Sequence, residues 1–248
     1  MNRPLRRVGV IGDVHAEDVL LEQALGGFAQ RGVDAVLCTG DIADGPGDLA
    51  RCCALLEEAE VHCVRGNHDR WLLTDRARRV PDAHRREDLD ERALAFLESL
   101  PVEHTLETCE GPLRLCHGIA GNDLAKVWPG SERMDAERSE ALDVLIAEGE
   151  LRWLVNGHMH YRMLLDFETL TLINAGTLAA RYRPPGVTLL DFSAGTASFL
   201  RFSGSRLETE AEHALRDHDR RIFTDTQAFD GNWRVFRVEP EPTPAQQG

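Results

Sequence analysis

Residues 64–69 of the chain are VRGNHD, a mostly polar stretch that follows the apolar run at residues 61–64. The apolar run is typical of a short strand, and the glycine lets the backbone turn sharply where that strand ends. Asn67, His68 and Asp69 then stand together beyond the turn. Alone, this cluster is weak evidence for a site, so its meaning depends on whether the rest of the chain repeats it.

The same arrangement recurs at four other predicted strand ends. Side chains that can bind metals stand next to a glycine in GDVH (12–15), GD (40–41), CHG (116–118) and GHMH (157–160). Each cluster alone is more commonly a helix cap or a surface histidine. Open α/β sheets, however, collect their ligands outside the carboxyl ends of the strands. Five of the ten histidines fall in these positions, so the five clusters together predict one shared site.

Short β-branched runs alternate with helical patterns along the chain, which predicts α/β construction. The predicted strands cover residues 8–11, 35–38, 61–64, 113–116, 153–155, 170–173, 187–192 and 197–202, and the predicted helices cover 17–31, 48–60, 90–100 and 135–148. Residues 72–88 are expected to form a loop or cap. We expect one domain over residues 1–203 and a C-terminal extension over residues 204–248. The extension is predicted to hold a charged helix up to residue 221, a strand-like WRVFRV and a disordered Pro-rich tail.

The composition narrows the classes of function. With 248 residues, 42% of them hydrophobic, the chain can bury one substantial core. It has no bilayer-spanning apolar run and no signal-peptide stretch, so we expect a cytoplasmic protein without a membrane partner. The six cysteines form no CxxC pair and are interpreted as buried reduced thiols. A net charge of −14 disfavours duplex nucleic acid but not a small phosphorylated substrate, because bound cations reverse the field locally. The oligomeric state stays open.

In their order along the chain, the clusters DxH, GD, GNHD, H and GHxH resemble the motifs of the calcineurin-like metallophosphoesterases. The pattern covers roughly residues 8–202. The later INAGT (173–177) is similar to the Asn-Pro-Gly-Ser stretch of the family's small bacterial phosphodiesterases, with Ala175 and Thr177 in place of proline and serine. The resemblance implies a four-layer α/β/β/α sandwich with two mixed β-sheets and a dinuclear metal centre.

The resemblance also implies a set of metal ligands in which Asp41 bridges two divalent cations. Asp13, His15 and His160 complete one site, and Asn67, His117 and His158 complete the other. Oxygen and imidazole donors without cysteine suit Mn, Fe, Zn or Ni, of which we favour Mn. Two carboxylates leave the two cations with a net positive charge, which binds a phosphate and lowers the pKa of a shared water. The expected nucleophile is a metal-bridging hydroxide.

His68 remains after the ligands are assigned, and the resemblance gives it the role of general acid. A histidine that titrates near neutrality suits protonation of a leaving oxygen. Asp69 is expected to hold the other ring nitrogen of His68, with a simple turn or cap residue as the equally weighted alternative. Arg65, Asn67 and His68 are the expected substrate contacts.

Two further motifs are similar to those of the Ser/Thr protein phosphatases, namely VRGNHD and GDIAD (40–44). This similarity makes Asp44 a further candidate. Gly45, however, stands where that branch has its phosphate-binding arginine, so protein phosphatase activity is not implied. Additional candidates for substrate contact are Arg70, Arg181 and Arg183, together with the aromatic rings of Trp71 and Trp128, although surface or packing roles are commoner for such residues.

The predicted function is metal-dependent hydrolysis of phosphate esters, by a phosphodiesterase or phosphatase acting on small or nucleotide-like substrates. A dinucleoside polyphosphate hydrolase is an alternative within the same class. Two non-catalytic alternatives are a protein-binding scaffold, as in the retromer subunit of the superfamily, and a metal sensor or storage protein. The presence of His68, which neither alternative needs, argues against both.

Overall fold

The computed structural model describes residues 3–181 and 183–233. Its strands are β1 (Arg7–Ile11), β2 (Ala35–Cys38), β3 (His62–Cys63), β4 (Glu103–Thr108), β5 (Gly111–Cys116), β6 (Trp153–Asn156), β7 (Arg162–Phe167), β8 (Thr171–Ala175), β9 (Gly186–Asp191), β10 (Thr196–Ser203), β11 (Arg206–Ala214) and β12 (Ile222–Phe223). Its α-helices are α1 (Asp18–Arg31), α2 (Leu49–Glu58), α3 (Asn67–Leu73), α4 (Glu91–Ser99) and α5 (Glu140–Glu148), and 3₁₀ turns cover Arg86–Asp88 and Thr226–Ala228.

The strands form two six-stranded sheets, and both are mixed. The first has the order β11-β10-β9-β1-β2-β3, in which β1, β2 and β3 are parallel and β9, β10 and β11 pair antiparallel. The second has the order β12-β7-β8-β6-β5-β4, in which β5, β6 and β8 are parallel. In this sheet β4 pairs antiparallel with β5 and β7 pairs antiparallel with β8, whereas β12 pairs parallel with β7.

Alternating side chains on the central strands separate three apolar cores. Val8 and Val10 of β1 face Trp153 and Val155 of β6 in the core between the sheets, and Ile11 packs on the outer side of the first sheet. Helices α1, α2 and α4 contribute to that outer core, whereas α5 covers the outer face of the second sheet. The four-layer α/β/β/α sandwich with two mixed β-sheets is therefore confirmed.

The helix ends follow their sequence signals. Asp90 caps α4 by accepting a hydrogen bond of 2.7 Å from the backbone N–H of Ala93, and Pro101 follows the helix, as predicted. The helix predicted from residue 135 begins only at Glu140, because Ser139 provides its cap.

Four of the described strands were not predicted from the sequence, namely β4, β7, β11 and β12. β4 is an edge strand whose sequence, EHTLET, contains one strongly apolar residue. β7 is buried along its whole length, so its sequence RMLLDF lacks the alternation that marks a half-exposed strand.

The charged helix predicted after residue 204 is wrong. Residues 206–214 form β11, which pairs antiparallel with β10 and places Arg206 opposite Ser203. Glutamate favours helices locally, but here Glu208 pairs with Arg201 and Glu210 with Arg162, and pairing with β10 satisfies the backbone. The boundary expected between residues 203 and 204 thus falls in the turn between two paired strands. Residues 234–248, with most of WRVFRV and the Pro-rich tail, lie outside the described residues.

Across residues 3–181 and 183–233, no helix combines the length and apolarity that crossing a membrane would require. All six cysteines are free thiols, and five of them are buried. Burial raises the pKa of the Cys52 and Cys116 thiols, so these side chains act as small apolar groups rather than nucleophiles.

Candidate metal centre

The ends of five strands bring the candidate ligands to one edge of the sandwich. From the first sheet, Asp13 follows β1, Asp41 follows β2 and Asn67 begins α3 after β3. From the second sheet, His117 follows β5, and His158 and His160 follow β6. The site therefore lies across the junction of the two sheets, with ligand candidates from both.

Four of these residues have a left-handed backbone, which is uncommon outside glycine. The φ angles are 47° at His15, 46° at Asp41, 65° at His158 and 58° at His160. Such conformations cost on the order of 1 kcal/mol or more each, and they persist where the surrounding structure enforces them. Their concentration at this edge indicates that the side chains are held in set directions.

One cluster consists of Asp13, His15, Asp41 and His160, and one ligand atom from each lies within 4.8 Å of the others. Nε2 of His160 lies 2.9 Å from Oδ2 of Asp13 and 3.3 Å from Nε2 of His15. Two ring nitrogens that face each other and a buried carboxylate provide the donors that a divalent cation takes in proteins.

A second cluster consists of Asp41, His117 and His158. Nε2 of His117 lies 3.3 Å from Oδ2 of Asp41 and 3.0 Å from Oδ1 of Asn67. The carboxylate of Asp41 belongs to both clusters. The seven residues predicted as ligands therefore lie together: six form the two clusters, and Asn67 contacts His117 of the second.

Hydrogen bonds behind the ligands fix which ring nitrogens face the centre. Nδ1 of His15 donates to the backbone oxygen of Asp44 at 2.9 Å, and Nδ1 of His117 donates to the backbone oxygen of Thr39 at 2.8 Å. In the neutral form of both rings, Nε2 is therefore the acceptor and is directed into the centre, which is the tautomer that binds a metal. The donor set thus fits two divalent cations.

Asn174 and Thr177, which belong to the INAGT stretch noted in the sequence, and Thr39, which the sequence did not single out, support the ligand loops. The side chain of Asn174 donates to the backbone oxygen of Gly157 at 2.5 Å, and Oγ1 of Thr177 donates to the backbone oxygen of Asp13 at 2.8 Å. Thr39 donates to Oδ1 of Asp13 at 3.2 Å. The available signal was a polar residue within an apolar strand, as at Asn174 in TLINA.

The field at the centre favours positive charge. Burial opposes protonation of His117, but the carboxylates of Asp41 and Asp13 outweigh it and raise the pKa of His117 to about 10. Burial would raise the pKa of Asp41, but the neighbouring imidazoles lower it. Burial lowers the pKa of His15 and His158, which favours their neutral, metal-binding form.

His68 stands beside the centre and is held by Asp44. Its Nδ1 lies 2.8 Å from Oδ2 of Asp44, and its backbone N–H donates to Oδ1 of Asp41 at 2.8 Å. Burial would lower the pKa of His68, but the hydrogen bond to Asp44 and the nearby carboxylates raise it. The imidazole therefore has an anionic partner on one side and a second ring nitrogen left for other contacts.

The contact predicted between Asp69 and His68 is corrected by this geometry. The carboxylate of Asp69 instead accepts three backbone N–H bonds of 2.8–2.9 Å, from Ile42, Ala43 and Gly66. Burial and the nearby carboxylate of Asp41 raise the pKa of Asp69 to about 7, and the hydrogen bonds from Ala43 and Gly66 oppose that effect. Asp69 ties the Asp41 loop to the start of α3, because its short side chain is directed into the fold.

The arginine candidates occupy different positions. Arg65 is partly exposed and lines a narrow cleft beside His117. Arg70 forms a two-pronged ion pair with Asp123, with bonds of 2.6 and 2.8 Å. Arg181 pairs with Asp82 at 2.5 Å, and Arg183 lies over the ring of Tyr161.

Two other sequence candidates are explained by packing. Trp128 is 2% exposed and packs against Tyr161 and Trp233, so its ring is part of the core. At Gly45, an added Cβ would overlap the backbone oxygen of His15. The turn around Asp44 therefore excludes the arginine that the Ser/Thr protein phosphatases have at this position.

Residues 7–195 match the family model of the calcineurin-like phosphoesterase superfamily domain. The chain belongs to this superfamily, and it is a hydrolase that acts on phosphate esters, as the sequence motifs predicted. No curated protein is significantly similar to it in sequence.

Solved structures of phosphoesterases share the fold. The metallophosphoesterase from Sphaerobacter thermophilus superposes with a TM-score of 0.59 at 20% identity, covering 79% of this chain and 87% of its own. Yfce, a phosphoesterase from E. coli, gives 0.51 at 18% identity, covering 85% and 100%. A novel archaeal phosphodiesterase gives 0.52 at 16% identity, covering 78% and 98%. At these identities the likeness concerns the fold alone.

Proposed function

We propose that this hydrolase cleaves small or nucleotide-like phosphate esters with two divalent cations, and that His68 protonates the departing oxygen. The observation that carries the proposal is the position of Asp41, whose carboxylate belongs to both ligand clusters. One carboxylate shared between two groups of imidazoles is the arrangement that a two-metal hydrolytic centre requires. His68, directly beside it, belongs to neither cluster.

The ligand residues, His68 and Arg65 would have separate roles in the reaction. Asp13, His15, Asp41 and His160 would hold one cation, and Asp41, Asn67, His117 and His158 the other. When bound, the two cations would activate a shared water as the nucleophile and neutralise the phosphoryl oxygens. Asp44 orients the ring of His68 through its contact with Nδ1, and His68 gives its proton to the leaving oxygen. Arg65, which is partly exposed and stands two residues before the candidate ligand Asn67, is a candidate for binding a phosphoryl oxygen or a substituent of the ester.

For the cations we favour Mn²⁺ over Fe, Zn²⁺ or Ni²⁺. Both clusters consist of oxygen and imidazole donors, with two carboxylates and no thiolate among the assigned ligands. Such donors suit all four metals, and harder oxygen donors favour Mn²⁺ over a soft ion. The sequence prediction of a cytoplasmic location is retained as part of the proposal.

The test is a hydrolysis screen of purified protein loaded separately with Mn²⁺, Zn²⁺, Ni²⁺ and Fe²⁺. The substrates are monoesters, diesters and dinucleoside polyphosphates, with metal-stripped protein as the control. We expect turnover that depends on metal, most strongly on Mn²⁺. Preference for the third group would favour the dinucleoside polyphosphate alternative. Absence of turnover on every substrate with every metal would contradict the proposal and favour the scaffold or the metal sensor.

A further inference from the structure

Trp71 lies next to the proposed general acid on the same short helix. It follows His68 by three residues on α3, so the two side chains lie on one face. The ring centroids are 4.8 Å apart, with the planes inclined by 54°. The indole therefore borders the side of the centre from which His68 acts.

Trp71 also differs from the other tryptophans in exposure. Trp128, Trp153 and Trp233 are 2%, 3% and 7% exposed and belong to apolar cores. Trp71 is partly exposed and belongs to none of these cores. An indole that only packs against its neighbours would be expected among the buried rings, whereas this one offers surface to a ligand.

The helix that carries Trp71 is fixed on both sides. Arg70, the preceding residue, is bound to Asp123 by two hydrogen bonds, and Leu72, the following residue, is fully buried in the outer core of the first sheet. A ring held in this way loses little conformational freedom when a ligand stacks on it.

We propose that Trp71 selects phosphate esters whose departing alcohol carries a planar ring, above all a nucleoside. This inference rests on the proposed function, because it places the leaving group beside His68. In the reaction, a water oxygen bonds to phosphorus and the water loses one proton to solvent, the bond from phosphorus to the departing oxygen breaks, and His68 gives its proton to that oxygen. The base of a departing nucleoside then lies against the indole.

The test compares two leaving groups that share the same departing oxygen. Adenosine 5′-phosphate and ribose 5-phosphate both release a ribose 5′-alcohol, and only the first carries a base. Each is offered as the monoester and as the methyl diester, with release of the 5′-alcohol as the measurement. Wild-type protein is compared with Trp71→Ala and with Trp71→Phe, all loaded with the metal that is best in the screen.

Stacking of a base on an aromatic side chain changes affinity by about 5- to 150-fold. We expect Trp71→Ala to lower kcat/KM for the adenosine esters by about tenfold more than for the ribose esters, so that the preference for the base is lost. Trp71→Phe, which keeps a ring, should retain most of the preference. An equal loss for both esters would overturn the proposal, because it would show that Trp71 only supports His68.

Binding of adenosine without phosphate, measured by calorimetry, separates this inference from the proposed function. Adenosine binding that Trp71→Ala abolishes, in a protein that hydrolyses no ester, would uphold the stacking site and contradict the phosphoesterase mechanism. Hydrolysis without preference for the base, and without adenosine binding, would overturn the stacking site and leave the mechanism standing.

Discussion

Oδ2 of Asp44 lies 2.8 Å from Nδ1 of His68 and is fully shielded from solvent, so the orientation of the proposed acid depends on this carboxylate. The same side chain accepts two bonds from Arg78, at 2.8 and 3.0 Å, and one from the backbone N–H of His84 at 3.0 Å. Asp44 thereby joins the proposed acid to the stretch that follows α3, within the residues 72–88 expected to form a loop or cap.

Replacing Asp44 by asparagine should lower turnover by weakening the hold on His68. We expect kcat for unactivated alkyl esters to fall by about tenfold or more, because a charged hydrogen-bond partner is lost. The metal content should not change. Arg78→Gln is the matched control, since it removes an ion pair of Asp44 without touching His68. In the His68→Asn background, Asp44→Asn should cause no further loss, and two independent losses would contradict the pairing.

His68→Asn should remove the proton donor and keep a side chain of similar polarity. The expected loss is about a hundredfold to ten-thousandfold in kcat for esters with poor leaving groups. Esters of p-nitrophenol, whose leaving group needs no proton, should lose much less. The measurement is the dependence of log kcat on leaving-group pKa, in wild-type protein and variant. Parallel lines for the two proteins would argue against the acid assignment.

Asp41→Ala should empty both metal sites, because one carboxylate belongs to both clusters. Asn67→Ala removes a candidate ligand of the second cluster only and serves as the comparison. Metal analysis after gel filtration should show loss of both ions from the first variant, with the ion at Asp13, His15 and His160 retained in the second. Two tightly held ions in Asp41→Ala would rule out a bridging position.

Asp69→Asn should act on stability rather than on proton transfer. Its amide group can accept from Ile42 and Ala43 but presents an N–H where Gly66 also donates. A buried donor left without a partner costs about 1–3 kcal/mol, so urea unfolding should show a loss of that size. The leaving-group dependence of the folded variant should match wild-type protein. A change like that of Asp44→Asn would instead support the role first predicted for Asp69.

The ligand set could be predicted because each member follows a strand end within a few residues. Parallel strands present their carboxyl ends at one edge of a sheet, so clusters that are distant in the sequence are expected to lie together there. The partner of His68 could not be predicted in this way. Asp69 is its neighbour in sequence, whereas Asp44 is 24 residues away and arrives through a left-handed turn with φ of 67°.

Strand β11, near the C-terminal end of the described residues, shows a different limit of prediction from sequence. RLETEAEHA is rich in helix formers, yet it forms β11, because β10 offers a complete partner for its backbone. The register shifts between Phe199 and Leu200, opposite the middle of β11, and such irregularities leave no clear period in the sequence. β7 was not predicted for another reason: both of its faces are buried, so its sequence does not alternate between polar and apolar residues.

Because the metal centre lies at the junction of the two sheets, metal binding there is expected to stabilise the folded sandwich. Asp13 and Asp41 follow strands of the first sheet, and His117 and His158 follow strands of the second. Cations held by these residues would therefore link the two sheets, which share an apolar core. Any ligand that binds only the folded chain raises its melting temperature, in proportion to the logarithm of its excess over Kd. A chelator would therefore lower the melting temperature of the metal-loaded protein. Thermal unfolding in the presence of each metal would show which one binds best, without any substrate.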